Sequence, residues 1–455
     1  MLRVVHLGRG VFEDVGPRIS FVIVLLERRQ AVLGSPPADE VRYTDLRALD
    51  EPRRLELLGE WGANTAMPVP HAVHIPAQES GYTLTPVGDV AQAVRRAGPA
   101  LAQQSGQRVF VKKWPGLITA FDKLFSADTA AEVTTRWQSF YRCVGASRRF
   151  EEELADFAAR IGLASEDERT RLRDLVSMAK AAGLSFDAAK VCRAISGSSP
   201  NDDRWYPSPE LTTYVYYEPA LSIPRNENEG KAKGWGTMNQ WREPQAHETF
   251  PKLVYTSGSK VEYGLKAFVL CDRWYVKLHG GTSQQFNFTV MENPLAQAKL
   301  GGLPNNITPE AEPLFAQFVA DGLGPEDFLL FLAGLYNSEV AELFVEEGGG
   351  NVLNVPLRDA PTAIQIARLG RRMRDLTVLK HAFSSSPRVL SDSLPYDLTY
   401  LSASAGFAVE REGGGRYRAQ AALVSSETTA DAISTQLDAG QAELDGLVRT
   451  IFGLA

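Results

Sequence analysis

The fold is decided by two neighbouring stretches, YPSPELTTYVYYEPALSIPR at residues 206–225 and FPKLVYTSGSKVEYGLKAFVLCDRWYVKLHGGTSQQFNFTVMENP at residues 250–294. Side chains over residues 213–218 alternate with a period of two, which predicts a β-strand with two distinct faces. Further strands are predicted at 252–256, 267–271 and 286–291. The composition is that of a small sheet whose surface carries aromatic residues, basic residues and turn formers, as recognition surfaces do.

Between the two stretches lies a polar loop, RNENEGKAKGWGTMNQWREPQ, at residues 225–245. Loops of this length inside a compact protein usually mark function or disorder. Arginine and amide side chains hydrogen-bond base edges, and lysine and arginine contact phosphates. The candidate residues for such contacts are Arg204, Tyr216, Tyr217, Arg225, Lys231, Lys233, Trp235, Arg242, Lys260 and Lys266. The alternative is that alternate tyrosines fill a core while their neighbours line a solvated face.

Toward the amino end, strands are predicted at residues 4–7, 19–26 and 41–46. The second is almost continuously apolar and β-branched, so we expect it inside a sheet that is covered on both faces, as in α/β proteins. The link GRGVFEDVGPRI at residues 8–19 is short and rich in Gly and Pro, which predicts a hairpin-like return.

Helical spacing recurs through the rest of the chain. Helices are predicted at residues 50–61, 127–144, 150–161, 166–182, 325–336, 339–347, 360–381 and 427–454. Several have acidic first turns and basic last turns, in agreement with the helix dipole. The helix at 360–381 carries Arg368, Arg371, Arg372 and Arg374, for which phosphate contact and a solvated helix face are equally good explanations.

The chain has 455 residues, which predicts two to four domains. Its formal charge of -7 excludes a surface that is basic throughout but permits a local basic groove. The three cysteines lack metal-ligand spacing and indicate a reducing, cytoplasmic location. The longest apolar run is far shorter than the roughly 20 residues that span a bilayer, so no membrane is expected.

Five further features are better explained by structural roles than by cofactor binding, metal binding or catalysis. Gly8, Gly10 and Gly16 lack the strand and helix of a dinucleotide loop, and His71 and His74 have no additional ligands nearby for a metal. The glycine tracts at 348–350 and 413–415 indicate a helix stop and a hairpin turn. Residues 257–259 lack the surroundings of a nucleophile. No catalytic, cofactor-binding or metal-binding residue is predicted.

The succession VFEDVGPRISFVIVLLER, VRYTDLRAL, VYYEPALSIPR, FPKLVYTSG, PEDFLLFLAGLYNSEVAELF and LDGLVRTIFGL resembles the C-terminal half of large adenine-N6 DNA methyltransferases of restriction-modification systems, the type ISP group and similar type IIG enzymes. In that family the YYEPAL-like and PEDFL-like blocks belong to the region that recognises the target sequence. The resemblance implies double-stranded DNA as a partner.

The sequence departs from that family in lacking two motifs. Neither the Gly-rich cofactor turn nor the Asn/Asp-Pro-Pro-Tyr/Phe catalytic tetrapeptide is present, and SPELTTYV stands where the family has an Arg-Pro-Phe-Asp type block. The expected fold is an α/β remnant of a methyltransferase sheet followed by an α+β target-recognition region with helical segments. S-adenosylmethionine is expected only in a complete assembly, bound by a partner chain or segment that carries the missing motifs.

The resemblance also implies boundaries and a function. The expected parts are terminal methyltransferase-like strands and a connector at 1–125, a helical linker at 126–200, a target-recognition domain at 201–350 and a helical region at 351–455. The expected function is DNA target recognition for an adenine-specific methyltransferase of a restriction-modification or phage-defence system. Two alternatives remain: a scaffolding subunit of a defence complex without sequence readout, and a complete enzyme of another type.

Overall fold

The structure is a computed structural model, and it describes most of the chain from residue 88 onward. The described residues are 2–9, 20–26, 41–45, 88–102, 108–119, 121–146, 150–196, 204–207, 212–221, 238–239, 244–256, 265–270, 274–277, 286–291, 307–347, 349–350, 352–383, 389–391, 407–412, 416–421 and 430–454. The chain divides into two compact units, one of residues 1–92 with 346–349 and one of residues 93–345 with 350–455.

The strands and helices alternate irregularly along the chain. The strands are β1 (Leu2–Arg9), β2 (Ser20–Leu26), β3 (Val41–Asp45), β4 (Ala100–Ala102), β5 (Arg108–Phe110), β6 (Trp114–Pro115), β7 (Ile118–Thr119), β8 (Ser126–Ala127), β9 (Val191–Ser196), β10 (Thr212–Tyr216), β11 (Met238–Asn239), β12 (Lys252–Thr256), β13 (Ala267–Leu270), β14 (Trp274–Lys277), β15 (Phe286–Val290), β16 (Val389–Ser391), β17 (Phe407–Glu412) and β18 (Arg416–Ala421). The helices are α1 (Asp89–Ala97), α2 (Asp122–Phe125), α3 (Ala130–Gly145), α4 (Phe150–Arg160), α5 (Glu166–Ala181), α6 (Pro244–Glu248), α7 (Glu312–Ala320), α8 (Pro325–Tyr336), α9 (Glu339–Glu346), α10 (Ala360–Phe383) and α11 (Ala430–Ile451).

The smaller unit contains a three-stranded sheet in the order β2-β1-β3. Strand β1 pairs with β2 antiparallel and with β3 parallel. The antiparallel pairing confirms the hairpin-like return between β1 and β2. The expectation that the apolar strand β2 lies inside the sheet is wrong for the described strands, because that short return places β2 beside β1 while β3 occupies the other side of β1.

In the larger unit, one core is built by α3, α4 and α5 on the sheet β14-β9-β10-β8. Trp137 of α3 is fully buried and stacks on Tyr216, with ring centroids 4.1 Å apart. Helix α5 begins with a capping box, in which the Ser165 hydroxyl accepts from the Glu168 N–H and the Glu168 carboxylate accepts from the Ser165 N–H. Residues from both sides of position 200 therefore share one core.

A second sheet of the larger unit has the order β13-β12-β15-β6 and is antiparallel throughout. Every residue of β12 and β13 is buried. Helix α8 packs against both strands, and Ile195 and Val276 of the first sheet share a core with Val254 and Phe268. Helix α8 packs in turn against the long helices α10 and α11. The C-terminal strands form a third sheet, β16-β18-β17, whose antiparallel β17–β18 pair flanks the predicted turn at 413–415.

Most predicted elements occur within three residues of the structure's bounds, and the strand at Lys252–Thr256 and the helix at Pro325–Tyr336 match at both ends. Several elements were not predicted, including β9, β14, α1 and α7. The predicted helix at 50–61 lies outside the described residues. In the described part of the chain no single helix is long and apolar enough to cross a membrane, although α8 and α9 together, bent by 51°, satisfy the length and composition criteria.

Candidate nucleic-acid interface

The register of β12 defines two ends of its sheet. Thr256 pairs with Phe286 of β15, and its N–H donates to the Lys266 carbonyl at 3.0 Å. Thr256 and Phe286 therefore lie at one end of the sheet, which we call the Thr256 end. Lys252 pairs with Leu270 and Val290 at the opposite end, which we call the Lys252 end. About five residues of strand, roughly 17 Å, separate the two ends.

The long polar loop of residues 225–245 is anchored in the larger unit on both sides. Leu221, just before it, is fully buried in the core under α3–α5, and Ala246 of α6 is fully buried in the core of the second sheet. The carbonyl of His247 accepts a hydrogen bond from Lys252 Nζ at 2.7 Å, which joins α6 to the start of β12. Arg225, Lys231, Lys233, Trp235 and Arg242 belong to this loop, and they lie outside the described residues.

Lys260 lies in residues 257–264 and is also outside the described residues. Six of the ten predicted DNA-contacting residues, the five of the polar loop and Lys260, therefore lie outside the described residues.

Tyr216 and Tyr217 belong to the framework. Tyr216 is fully buried and its hydroxyl accepts from the Asp187 N–H at 3.1 Å, while Tyr217 is 5% exposed and tilted over Tyr275 at 4.4 Å. Burial raises the pKa of both phenols. The alternative from sequence, that the tyrosines of β10 fill a core, describes their placement, and we do not include either side chain in the proposed DNA contacts.

The residues after Tyr217 fix the start of the loop. Glu218 is buried and forms an ion pair with Lys190, and its carboxylate also accepts from the Ala220 N–H at 3.3 Å. The Tyr217 N–H donates to the Lys190 carbonyl at 2.7 Å. The block YYEPAL therefore folds into a rigid turn at the root of the polar loop.

Arg204 and Lys266 are also held by contacts inside the protein. The Arg204 guanidinium donates to the Asn337 carbonyl at 2.7 Å and forms an ion pair with Glu342. Lys266 is only 6% exposed and lies beside Thr256, whose hydroxyl accepts from the Lys266 N–H at 3.1 Å. Neither placement favours direct DNA contact by Arg204 or Lys266.

Asn337, in the block LYNS, joins three elements. Its side chain accepts from the Ala267 N–H at 2.9 Å and donates to the Ala267 carbonyl at 3.0 Å, so it pairs with the backbone of β13. Its own carbonyl accepts from Arg204 and from Gln441 of α11. Fully buried amides without such partners cost stability, so this residue specifies how the sheet and helices meet. The sequence analysis missed this role.

Lys252 is the second important residue that the sequence analysis missed. It is fully buried, and its ammonium lies 4.1 Å from the ring centroid of Phe250 and 5.1 Å from that of Phe288. Burial lowers the pKa of Lys252 to about 7, although the charge of Glu248 acts in the opposite direction. Burial and the charge of Lys252 lower the pKa of His247 to about 3. The only signal in the sequence is a lysine at the start of an otherwise buried strand.

Three of the four arginines of α10 form internal ion pairs. Arg368 pairs with Asp321, Arg371 with Asp327, and Arg374 with both Glu326 and Asp375. Asp327 also accepts from the Gly324 N–H at 3.0 Å and so caps α8. The block PEDFL thus supplies Glu326 and Asp327 as acidic partners of Arg371 and Arg374. Arg368 is 58% exposed, as the explanation by a solvated helix face predicts. Within the described residues no group of three or more His, Cys, Asp and Glu is placed to hold a metal.

Comparisons with known proteins find no matching family model and no matching curated protein. Among solved structures, the chain is similar to the ATP-dependent type ISP restriction-modification enzyme LlaBIII bound to DNA, with 12% identity and a TM-score of 0.44. It is also similar to a nuclease-deletion mutant of the type ISP enzyme LlaGI with a DNA substrate mimic, with 12% identity and a TM-score of 0.43. A third is the DrdV–DNA complex, with 14% identity and a TM-score of 0.40.

These likenesses cover 99% of this chain for LlaBIII and LlaGI and 100% for DrdV. The chain spans 30% of the LlaBIII chain, 36% of the LlaGI chain and 48% of the DrdV chain.

Proposed function

We propose that this chain is the DNA target-recognition part of an adenine-specific DNA methyltransferase of a restriction-modification or related phage-defence system. In this proposal, a partner chain or segment that carries the missing methyltransferase motifs supplies S-adenosylmethionine binding and catalysis. The polar loop at 225–245 contacts double-stranded DNA, with lysines at phosphates and arginines and amides at base edges. The family resemblance of the sequence blocks motivates the assignment.

The observation that carries the proposal is that the residues on both sides of the polar loop are held in the packed interior. In the block YYEPAL, just before the loop, Glu218 forms an ion pair with Lys190, and Ala246, just after the loop, is fully buried. A rigid framework that presents variable loop residues is the usual arrangement for binding sites. Of the predicted cations, Arg204 and Lys266 make internal contacts, so the proposal assigns DNA contact to the loop cations and to Lys260.

Binding is tested with the purified chain by fluorescence anisotropy on a panel of duplexes of differing sequence at several salt concentrations. We expect binding that weakens with salt at a slope of about -0.9 for each phosphate contacted. Arg225→Ala or Arg242→Ala costs roughly 1 to 3 kcal/mol and relaxes preference at one base pair if that arginine contacts a guanine edge. Lys231→Ala weakens all sequences alike.

A scaffolding subunit without sequence readout is the second candidate, and the burial of Tyr216, Tyr217 and Lys266 favours it, since these residues leave fewer side chains for DNA. A folded chain that binds no duplex at low salt, or binds every duplex equally in all variants, supports the scaffold and contradicts target recognition.

A further inference from the structure

Trp205 has a backbone conformation that its side chain disfavours. Its φ is 78°, in the left-handed region, and it is the one described residue other than glycine with a positive φ. Such a conformation is strained for a bulky residue and persists only where the surrounding structure enforces it. The residue is nevertheless 2% exposed, so the strain is maintained in a packed interior.

The indole ring occupies a socket between two helices. A Cβ atom built on Gly370 of α10 would lie 2.9 Å from Trp205 Cζ3 and 3.0 Å from the Leu330 carbonyl oxygen. A Cβ atom on Gly334 of α8 would lie 2.5 Å from Ile366 Cγ2 and 3.7 Å from Trp205 Cη2. Glycine inside a helix is unfavourable, so these two positions are explained by the close approach of α8, α10 and the ring.

The residues beside the tryptophan connect the socket to the second sheet. Arg204 is held by Asn337 and Glu342, Trp205 forms a parallel bridge with Phe268 of β13, and Tyr206 is buried in the core of that sheet. The indole Nε1 is buried and makes no hydrogen bond to any described residue, so the ring contributes shape and not polarity. The tripeptide is therefore wedged between β13 and the helices α8 and α10.

We propose that Arg204–Tyr206 is a latch that sets the orientation of the second sheet on α8 and α10, and that DNA sequence selectivity depends on it. Arg204 and Trp205 then act as positioning residues that do not touch DNA. The selectivity part rests on the function proposed above. Base-edge hydrogen bonds demand accurate placement, whereas phosphate contacts tolerate small shifts, so a loosened latch reduces selectivity more than non-specific affinity.

The test compares Gly370→Ala, which crowds the ring, with Trp205→Phe, with the double variant, and with Gly446→Ala as a matched helix control. A Cβ atom at Gly446 of α11 meets nothing within 4 Å. We expect Gly370→Ala to lower the ratio of specific to non-specific affinity about tenfold, with the salt slope unchanged. Trp205→Phe removes the crowding ring atoms and should restore part of that ratio in the double variant. Gly446→Ala should behave as the parent.

A proportional loss of specific and non-specific binding, or no rescue by Trp205→Phe, contradicts a positioning role. Amide hydrogen exchange of Ala267–Leu270 tests the latch independently of DNA. Faster exchange in Gly370→Ala but not in Gly446→Ala supports it, and equal exchange in both overturns it. If the parent chain binds no DNA, the selectivity claim fails together with the proposed function, while the exchange result still decides the latch.

Discussion

Arg374 and Lys252 are both buried cations of the larger unit, and the protein holds them in opposite ways. Arg374 is 1% exposed and donates to carboxylates of Asp375, at 2.9 Å, and Glu326. Lys252 is fully buried, donates to a backbone carbonyl and is surrounded by aromatic rings. At Lys252 the desolvation caused by burial outweighs the favourable charge of Glu248, so the pKa of Lys252 falls to about 7.

The comparison also separates framework cations from cations available to a ligand. Arg204, Arg371 and Arg374 have internal carboxylate partners, and Lys252 is enclosed. A chain with a net charge of -7 attracts DNA only where unshared positive charge is concentrated. These internal contacts favour the polar loop over the arginine-rich helix as the origin of the proposed DNA contacts.

The largest expected effect follows from removing Arg374. In Arg374→Met the carboxylate of Asp375, which is fully buried, loses its guanidinium, and breaking such a buried pair typically costs about 3 to 5 kcal/mol. Arg368→Met, on the same helix, breaks an exposed pair and should cost at most about 1 kcal/mol. Urea unfolding measures both, and equal costs would contradict the compensation argument.

Lys252→Met removes the buried charge. The informative quantity is how the free energy of unfolding of parent and variant depends on pH. Because the folded pKa is about 7 and the ordinary value is 10.5, the unfolded chain binds more protons between these values. Parent stability should therefore rise with pH across that window, by up to about 1.4 kcal/mol per unit from this group.

In Lys252→Met this contribution is absent, so the stability difference between parent and variant should change steadily from pH 7 to pH 10. The same Lys→Met change at exposed Lys180 of α5 provides the control. A difference that stays constant with pH would show that Lys252 is not buried with a lowered pKa.

The stability cost of Arg371→Met should lie between those of Arg374→Met and Arg368→Met, because this side chain is 27% exposed and its partner Asp327 is 7% exposed. Burial acts to lower the pKa of Arg371, but Glu326 and Asp327 outweigh it and the pKa is raised. Asp327 keeps its bond to the Gly324 N–H in the variant, so we expect a cost of about 1 to 2 kcal/mol in the same urea series. Equal stability costs for Arg371→Met and Arg374→Met would contradict the expectation that the cost of breaking an ion pair increases with its burial.

Periodicity predicted the local elements well because each depends on its own side chains. Residues 252–256 form a strand and residues 325–336 a helix, as their patterns indicate. The sequence did not predict which face of β10 is buried, since the helix that covers Tyr216 comes from residues about 80 positions earlier. For the same reason it did not predict that α10 finds acidic partners at Glu326 and Asp327.

The position of β2 shows a second limit of local pattern. Its apolar run predicted an interior strand, but strand order depends on how β1 and β3 pair, which no single segment encodes. The structural role of Asn337 was likewise not predictable from local sequence, because its partners Ala267, Arg204 and Gln441 are 70 or more residues away.

The most direct test of the central claim is the salt dependence of DNA binding in two charge-matched variants. One replaces the loop cations Arg225, Lys231, Lys233 and Arg242 with Gln, and the other replaces the exposed cations Arg142, Arg160, Arg169 and Lys180 of the helices α3–α5 with Gln. Both lose four positive charges. The account predicts that the loop variant loses about 3 to 4 units of salt slope while the helix variant keeps the parent slope within about one unit. Equal losses in both variants, or an unchanged slope in the loop variant, would contradict it.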